Sequence, residues 1–187
     1  AVAINRKIAA TFSEAMDPAT ITAASFTLTG PGGTPVSGIV SYLGTTAIFS
    51  PSADLAANTT YTSTITTAAR DLTGNALAAN YVWSWTTGAV RDTSAPIVIT
   101  TSAYGSTGLR SGATGLPINR NSSATFSEAM DPATITAASF TLTGPGGTPV
   151  SCMVSYVGTP TLFNPSADIA PNTPYTTTST TATRDLT

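Results

Sequence analysis

The sequence predicts an all-β chain folded as antiparallel two-layer sandwiches in tandem, and three observations carry that expectation. The run Ala10–Ser37 returns unchanged as Ala124–Ser151, a period of 114 residues measured from Phe12 to Phe126. Repeats of about 20 to 50 residues build solenoids and propeller blades, so a unit this long is a small domain of its own. Thr supplies 38 of the 187 residues and charged residues only 9%, a balance that favours β-branched strands over surface helices. Between Gly- and Pro-rich turns, apolar residues alternate with polar ones, and no helical period intervenes.

The chain is long enough for two sandwich cores but not for two complete copies of the repeat. The expected domains are 1–91, a unit lacking its first strand, and 92–187, a unit lacking its last. A full unit of about seven strands is therefore read from both copies. It opens with Ala95–Thr101, an apolar run after the turn-rich stretch 91–94, and a Gly-Ser segment leads to a short extended piece, Leu116–Ile118. The second strand is Lys7–Ser13, or Asn121–Ser127, with Ala10 and Phe12 on the inward parity. Asp17 caps a single helical turn that has Pro18 at its first position.

Ser25–Thr29 alternates, with Phe26 and Leu28 inward, and Pro31–Gly33 ends it. Val36–Tyr42 and Ala47–Phe49 form a hairpin, with Gly44 taking the positive backbone angle of the turn. The sixth strand is Thr60–Thr67, and across Asp71–Asn75 its partner is Tyr81–Thr86. Tyr81, Trp83 and Trp85 share parity there, so this last strand is expected to carry much of the first core. Leu55 stands six residues before Tyr61, as Ile169 stands before Tyr175. This is the spacing of a tyrosine corner, in which the hydroxyl bonds backbone upstream.

Composition excludes several functions. With one lysine, Lys7, and a net charge of −2, no basic patch exists for nucleic acid. Without histidine a Ser-His-Asp constellation cannot form, and the single cysteine rules out an internal disulfide and a Cys/His zinc site. Cys152 replaces Gly38 of the first copy and is expected to be a small buried thiol. No apolar run approaches the ~20 residues of a membrane span. The start of the chain is not a signal peptide, because its phase recurs at Gly115–Arg120.

The carboxylates Glu14, Asp17, Asp54, Asp71, Asp92, Glu128, Asp131, Asp168 and Asp185 show no spacing that pairs two of them for acid/base work. No catalytic and no cofactor-binding residue is expected. Calcium has weak candidates in Asp71 and Asn75 on one end loop and Asp92 at the junction, since hard oxygen ligands suit it. The bland reading of the three is turn capping and linker solvation. Asn58-Thr-Thr60 and Asn121-Ser-Ser123 fit the N-glycosylation pattern but read as ordinary strand and loop residues. Lys7 could enter an isopeptide bond only in the first copy, because its counterpart in the second is Asn121.

Several motifs in a fixed order, Asp92–Pro96, Phe12–Pro18, Phe49–Ser52, the Leu55–Tyr61 corner, Arg70–Asn75 and Trp83–Thr87, resemble the bacterial Ig-like domains of S-layer proteins and surface adhesins. The resemblance spans nearly the whole chain. It implies a Greek-key Ig-like sandwich and an extracellular or cell-surface structural module, while saying little about purpose, because the fold serves many functions. The expected function is non-enzymatic: part of a fibre, filament, stalk or surface layer, its partners copies of itself or adjacent repeats. Each unit short of a strand would be completed either by further residues of the same chain in a longer array of repeats, which is the simpler reading, or by a strand donated from a neighbouring chain. The rival readings are an adhesin module binding glycan or another cell, and an accessory domain of a secreted hydrolase.

Overall fold

In the computed structural model, the described residues are 2–103, 114, 118–119, 121–156 and 160–187. The contacts divide the chain into two compact units, Ala1–Ser94 with Leu186–Thr187, and Ala95–Asp185. The first unit holds β1 (Ile8–Thr11), β2 (Phe26–Thr29), β3 (Gly38–Leu43), β4 (Thr46–Pro51), β5 (Thr60–Ile65) and β6 (Tyr81–Thr86). One sheet runs β1-β4-β3 and the other β2-β5-β6, all antiparallel. The second unit holds β7 (Val98–Ala103), β8 (Ser122–Phe126), β9 (Phe140–Thr143), β10 (Pro149–Val150), β11 (Cys152–Tyr156), β12 (Pro160–Pro165) and β13 (Thr176–Ser179). Its sheets are β7-β8-β12-β11 and β10-β9-β13.

Shifting the second unit by 114 residues lays β8 on β1, β9 on β2, β11 on β3, β12 on β4 and β13 on β5. The union is a four-stranded sheet facing a three-stranded one. Strand β7 has no described counterpart in the first unit, and β6 has none in the second. The observed opening strand begins three residues later than Ala95, and its register against β8 slips in a bulge between Val98 and Thr100. Leu116 and Pro117 lie outside the described residues. Their first-unit counterpart, Val2, makes a parallel bridge to Thr87 just past β6.

Local chemistry explains the connectors. Asp17 Oδ1 accepts from Ala19 N at 2.9 Å and caps the turn Pro18–Thr20, and Asp131 repeats this for Pro132–Thr134. Leu43 pairs with Thr46 across a two-residue loop in which Gly44 has φ 63°. The tyrosine corner is present twice: Ala56 N–H donates to the Tyr61 hydroxyl, and Ala170 N–H to that of Tyr175, each at 2.9 Å.

One expected strand divides. Pro35 and Val36 bond β2, whereas Gly38 onward pairs with β4 in the opposite sheet, so the segment read as Val36–Tyr42 changes layers at Ser37. Gly38 is needed at that crossing, since a Cβ there would stand 2.5 Å from the Phe49 ring. At Cys152 the second unit carries that Cβ. Its ring pair is closer, Phe140–Phe163 at 4.8 Å against Phe26–Phe49 at 5.8 Å. Cys152 is half-buried rather than the enclosed thiol expected. Partial burial pushes its thiol up.

The core of the first unit centres on Phe26, Leu28, Phe49, Tyr61 and Ile65, all buried. This corrects the weight placed on the last strand. Trp83 and Trp85 are half-buried and Tyr81 is 64% exposed. Strand β6 is an edge of its sheet, so only its inner flank is covered. Thr richness has a structural use on the outer faces, where hydroxyls pair across strands: Thr60 with Thr86 and Thr62 with Ser84, each at 2.9 Å.

Among the described residues of the second unit, one buried group is uncompensated. Thr161 is fully buried and its hydroxyl has no hydrogen-bond partner, whereas the first unit has Ala47 at that place. Burying a hydroxyl unpaired costs about 1–3 kcal/mol, so Thr161→Val is expected to stabilise the second unit by about 1 kcal/mol. Calorimetry checks this as a rise in one of two transitions, the other unmoved.

Candidate interaction surfaces

The two units expose different surfaces. In the first unit, β1 is an edge strand, and beside it lies a groove of about 490 Å³ flanked by Ala10, Phe12, Ile65, Leu77, Tyr81 and Trp83. Phe12 and Ala10 are only half-buried there, while their counterparts Phe126 and Ala124 are 3% and 5% exposed behind β7. Identical residues thus differ in burial through one covering strand. The second unit has the converse opening. Ser63 and Ile65, buried under β6, correspond to Thr177 and Ser179, which are exposed on β13. Polar side chains at both places suit an uncovered strand.

The aromatic pair of the last strand is engaged inward. Trp85 stacks on Tyr61 at 5.5 Å and its Nε1 donates to Ser63 Oγ at 3.0 Å; Trp83 meets Phe26 at 5.9 Å. Both tryptophans thus pack on core aromatics of the sandwich.

The calcium candidates are placed in two separate turns. Asp71 Oδ1 accepts from Thr73 N, Thr73 Oγ1 and Asn75 N at 2.8, 2.8 and 2.9 Å, and Oδ2 accepts from Asn75 Nδ2 at 2.8 Å. Asp92 caps the junction: its Oδ1 accepts from Ser94 N, and its backbone exchanges two bonds with the Asn5 side chain. Four donors already occupy the Asp71 carboxylate, three of them on Oδ1. Chelation is accordingly expected to leave the melting temperature unchanged, and a drop of several degrees would restore the ion to the account.

The same donors hold the Asp71 carboxyl down to about 2 from an ordinary 3.8, the Asn75 amide foremost. The folded value lies below the unfolded one, so the stabilisation is complete above about pH 4 and is lost as pH falls through about 2. Urea midpoints followed by tryptophan emission are expected to decline across that window. Asp71→Asn should flatten part of the decline; an identical pH profile in the variant would show that the turn contributes nothing.

Sequence reasoning missed a second hydroxyl contact. Tyr42 in β3 accepts from Met16 N at 2.7 Å, as Tyr156 does from Met130 N. These fix the first connector to the opposite hairpin, and no short-range spacing signals them. Thr87 was missed too. It is 1% exposed, donates to Ala56 O at 2.6 Å and accepts from Thr59 N at 2.8 Å. Among the described residues, no three acidic, His or Cys side chains gather as a group that could hold a metal ion. No helix among them is long and apolar enough to cross a membrane.

Four strands facing three, closed by a tyrosine corner, define the immunoglobulin-like class of sandwich. The model of the bacterial Ig-like domain family matches residues 1–87 and again 92–187, and the chain belongs to that family. Among solved structures it is similar to the S-layer protein SbsC, at 14% identity and a TM-score of 0.42 over 94% of this chain and 31% of that one. It is similar also to the N-terminal part of SbsC, at 12% identity and 0.40 over 94% of this chain and 41% of that one. The chain thus spans well under half the length of the S-layer chains it matches. No curated protein matches it.

Proposed function

We propose that the chain is a non-enzymatic structural module of an extracellular fibre, filament, stalk or surface layer built from tandem Ig-like repeats. The observation that carries this reading is the exact return of Ala10–Ser37, loops included, on two sandwiches of one design. Binding modules vary their end loops over a constant frame. Here the long connector Glu14–Pro35 is constant, as regular spacing and regular lateral contacts require. The rows of interstrand hydrogen bonds supply resistance to extension along each unit.

Electron microscopy of the native material, with antibody raised against this chain, tests the reading. Label on an ordered fibre or layer with a domain-sized repeat is the expected result. Label on dispersed monomers would overturn it in favour of an accessory domain, and label confined to tips at contacts with other cells would favour an adhesin.

A further inference from the structure

We propose that the outer edge of β3 is a self-association surface, at which β3 pairs antiparallel with β3 of a second copy of this chain about a two-fold axis through Ser41. In that register Ile39 lies opposite the partner's Leu43 and Val40 opposite the partner's Tyr42. The contact deepens the repeat-array reading by naming a lateral surface, and it rests on that reading for its place in an assembly.

The edge is open in both units. β3 ends the sheet β1-β4-β3, and its counterpart β11 ends the sheet β7-β8-β12-β11. Strand β6 lies in the other layer and β7 at the far side of its sheet, so a unit that has either of them still presents this edge. Leu43 and Thr46 close a two-residue turn as a hydrogen-bonded pair, and by alternation Ser41 and Ile39 also bond β4. Gly38, Val40 and Tyr42 therefore turn their backbone N–H and C=O away from β4. Two neighbours agree with this parity: Ser52 N donates to Ser37 O at 2.9 Å, and Pro51, which has no N–H, stands opposite Gly38. In the proposed register Val40 and the partner's Tyr42 exchange both backbone bonds.

The sequence of the strand suits pairing with itself. Exposed edges of soluble proteins commonly carry a charge, a proline or a bulge that discourages a second strand. Gly38-Ile-Val-Ser-Tyr-Leu43 has none of these, and its register against β4 is unbroken. No charged residue stands between Asp17 and Asp54, nor between Asp131 and Asp168. On the outer face Ile39 and Leu43 are 72% and 51% exposed. In the second unit Val40-Ser41-Tyr42 returns as Val154-Ser155-Tyr156, while Ile39 becomes Met153, 66% exposed. The side chain has changed and yet stays large, apolar and outward, which a solvated position does not require. The axis through Ser41 sets Ile39 beside Leu43 on both sides, so the strand is complementary to its own copy and the occupant is a second molecule of this chain.

The test uses sedimentation of the full chain over a concentration series. One pair of short edges is a small interface, so a reversible dimer with a Kd of about 10–100 μM is expected. Ser41 is exposed, and its replacement leaves the fold in place. Ser41→Lys and Ser41→Glu each set like charges against each other on the axis and should each weaken the dimer at least about tenfold, whereas an equimolar mixture of the two should recover it as a heterodimer. Register is read by oxidation. Residues opposite in a non-hydrogen-bonded pair have Cα atoms about 4.5 Å apart, within disulfide reach, so Ser41→Cys in a Cys152→Ser chain should give a covalent dimer. Ile39→Cys in the same background should not, since the two copies of that residue lie about 13 Å apart along the strands.

A chain that stays monomeric up to about 1 mM overturns the proposal. So does a dimer that Ser41→Lys leaves intact, or one that cross-links equally through Ile39→Cys, either of which would move the contact to another edge such as β1, β6 or β11. Sedimentation is measured on the purified chain, so the dimer can fail while microscopy finds an ordered assembly, and the reverse.

Discussion

Phe26→Ala is expected to cost the first unit about 3–5 kcal/mol, a large share of the ~5–15 kcal/mol that holds a domain folded. Phe26 is 1% exposed and joins the two layers, its ring 5.8 Å from Phe49 in one and 5.9 Å from Trp83 in the other. Removing it leaves a cavity between rings that cannot close without moving both sheets. Urea unfolding followed by tryptophan emission reads the loss directly, because Trp83 is one of its neighbours. The matching change Phe140→Ala, which empties the contacts to Phe126 and Phe163, should lower the second calorimetric transition and leave the tryptophan midpoint in place. A midpoint shift of less than a quarter of the expected size for Phe26→Ala would show that the core is not centred there.

Thr87→Val is the second large effect. The hydroxyl donates to Ala56 O and accepts from Thr59 N inside the fold, so an isosteric methyl strands two backbone groups at about 1–3 kcal/mol each. The neighbouring Thr86→Val should change stability by less than about 0.5 kcal/mol, since its hydroxyl lies on the exposed face against Thr60. Parity between the two variants in a denaturant titration would contradict this assignment.

That contrast explains how much could be read beforehand. Thr86 and Thr87 are the same letter twice, and only the end of β6, where the chain leaves the sheet toward the 56–59 turn, tells them apart. Features set within a few residues were legible: the Asp17 cap, the Gly44 turn, the Tyr61 corner and the alternation of Phe26 and Leu28. Each depends on backbone geometry that a short segment imposes by itself.

Long-range features were not legible. The Tyr42 hydroxyl reaches Met16 N across 26 positions, and the change of sheets at Ser37 is decided by which edge lies open on each side. The exposure of Tyr81 is of the same kind: the parity of β6 was readable, but burial depends on what packs across the sandwich from it, which parity does not encode. The candidate surface was half legible for that reason. Alternation along β1 and β8 was readable, and only the burial of Phe126 against half-buried Phe12 showed which side chains β7 covers.

The account holds that each unit is a cooperative, tension-resisting block in a chain of such blocks, and pulling single molecules from their two ends tests it most directly. Two discrete unfolding events are predicted, each releasing about 90 residues, or roughly 30 nm at ~3.4 Å per residue. A smooth extension without discrete events would contradict it.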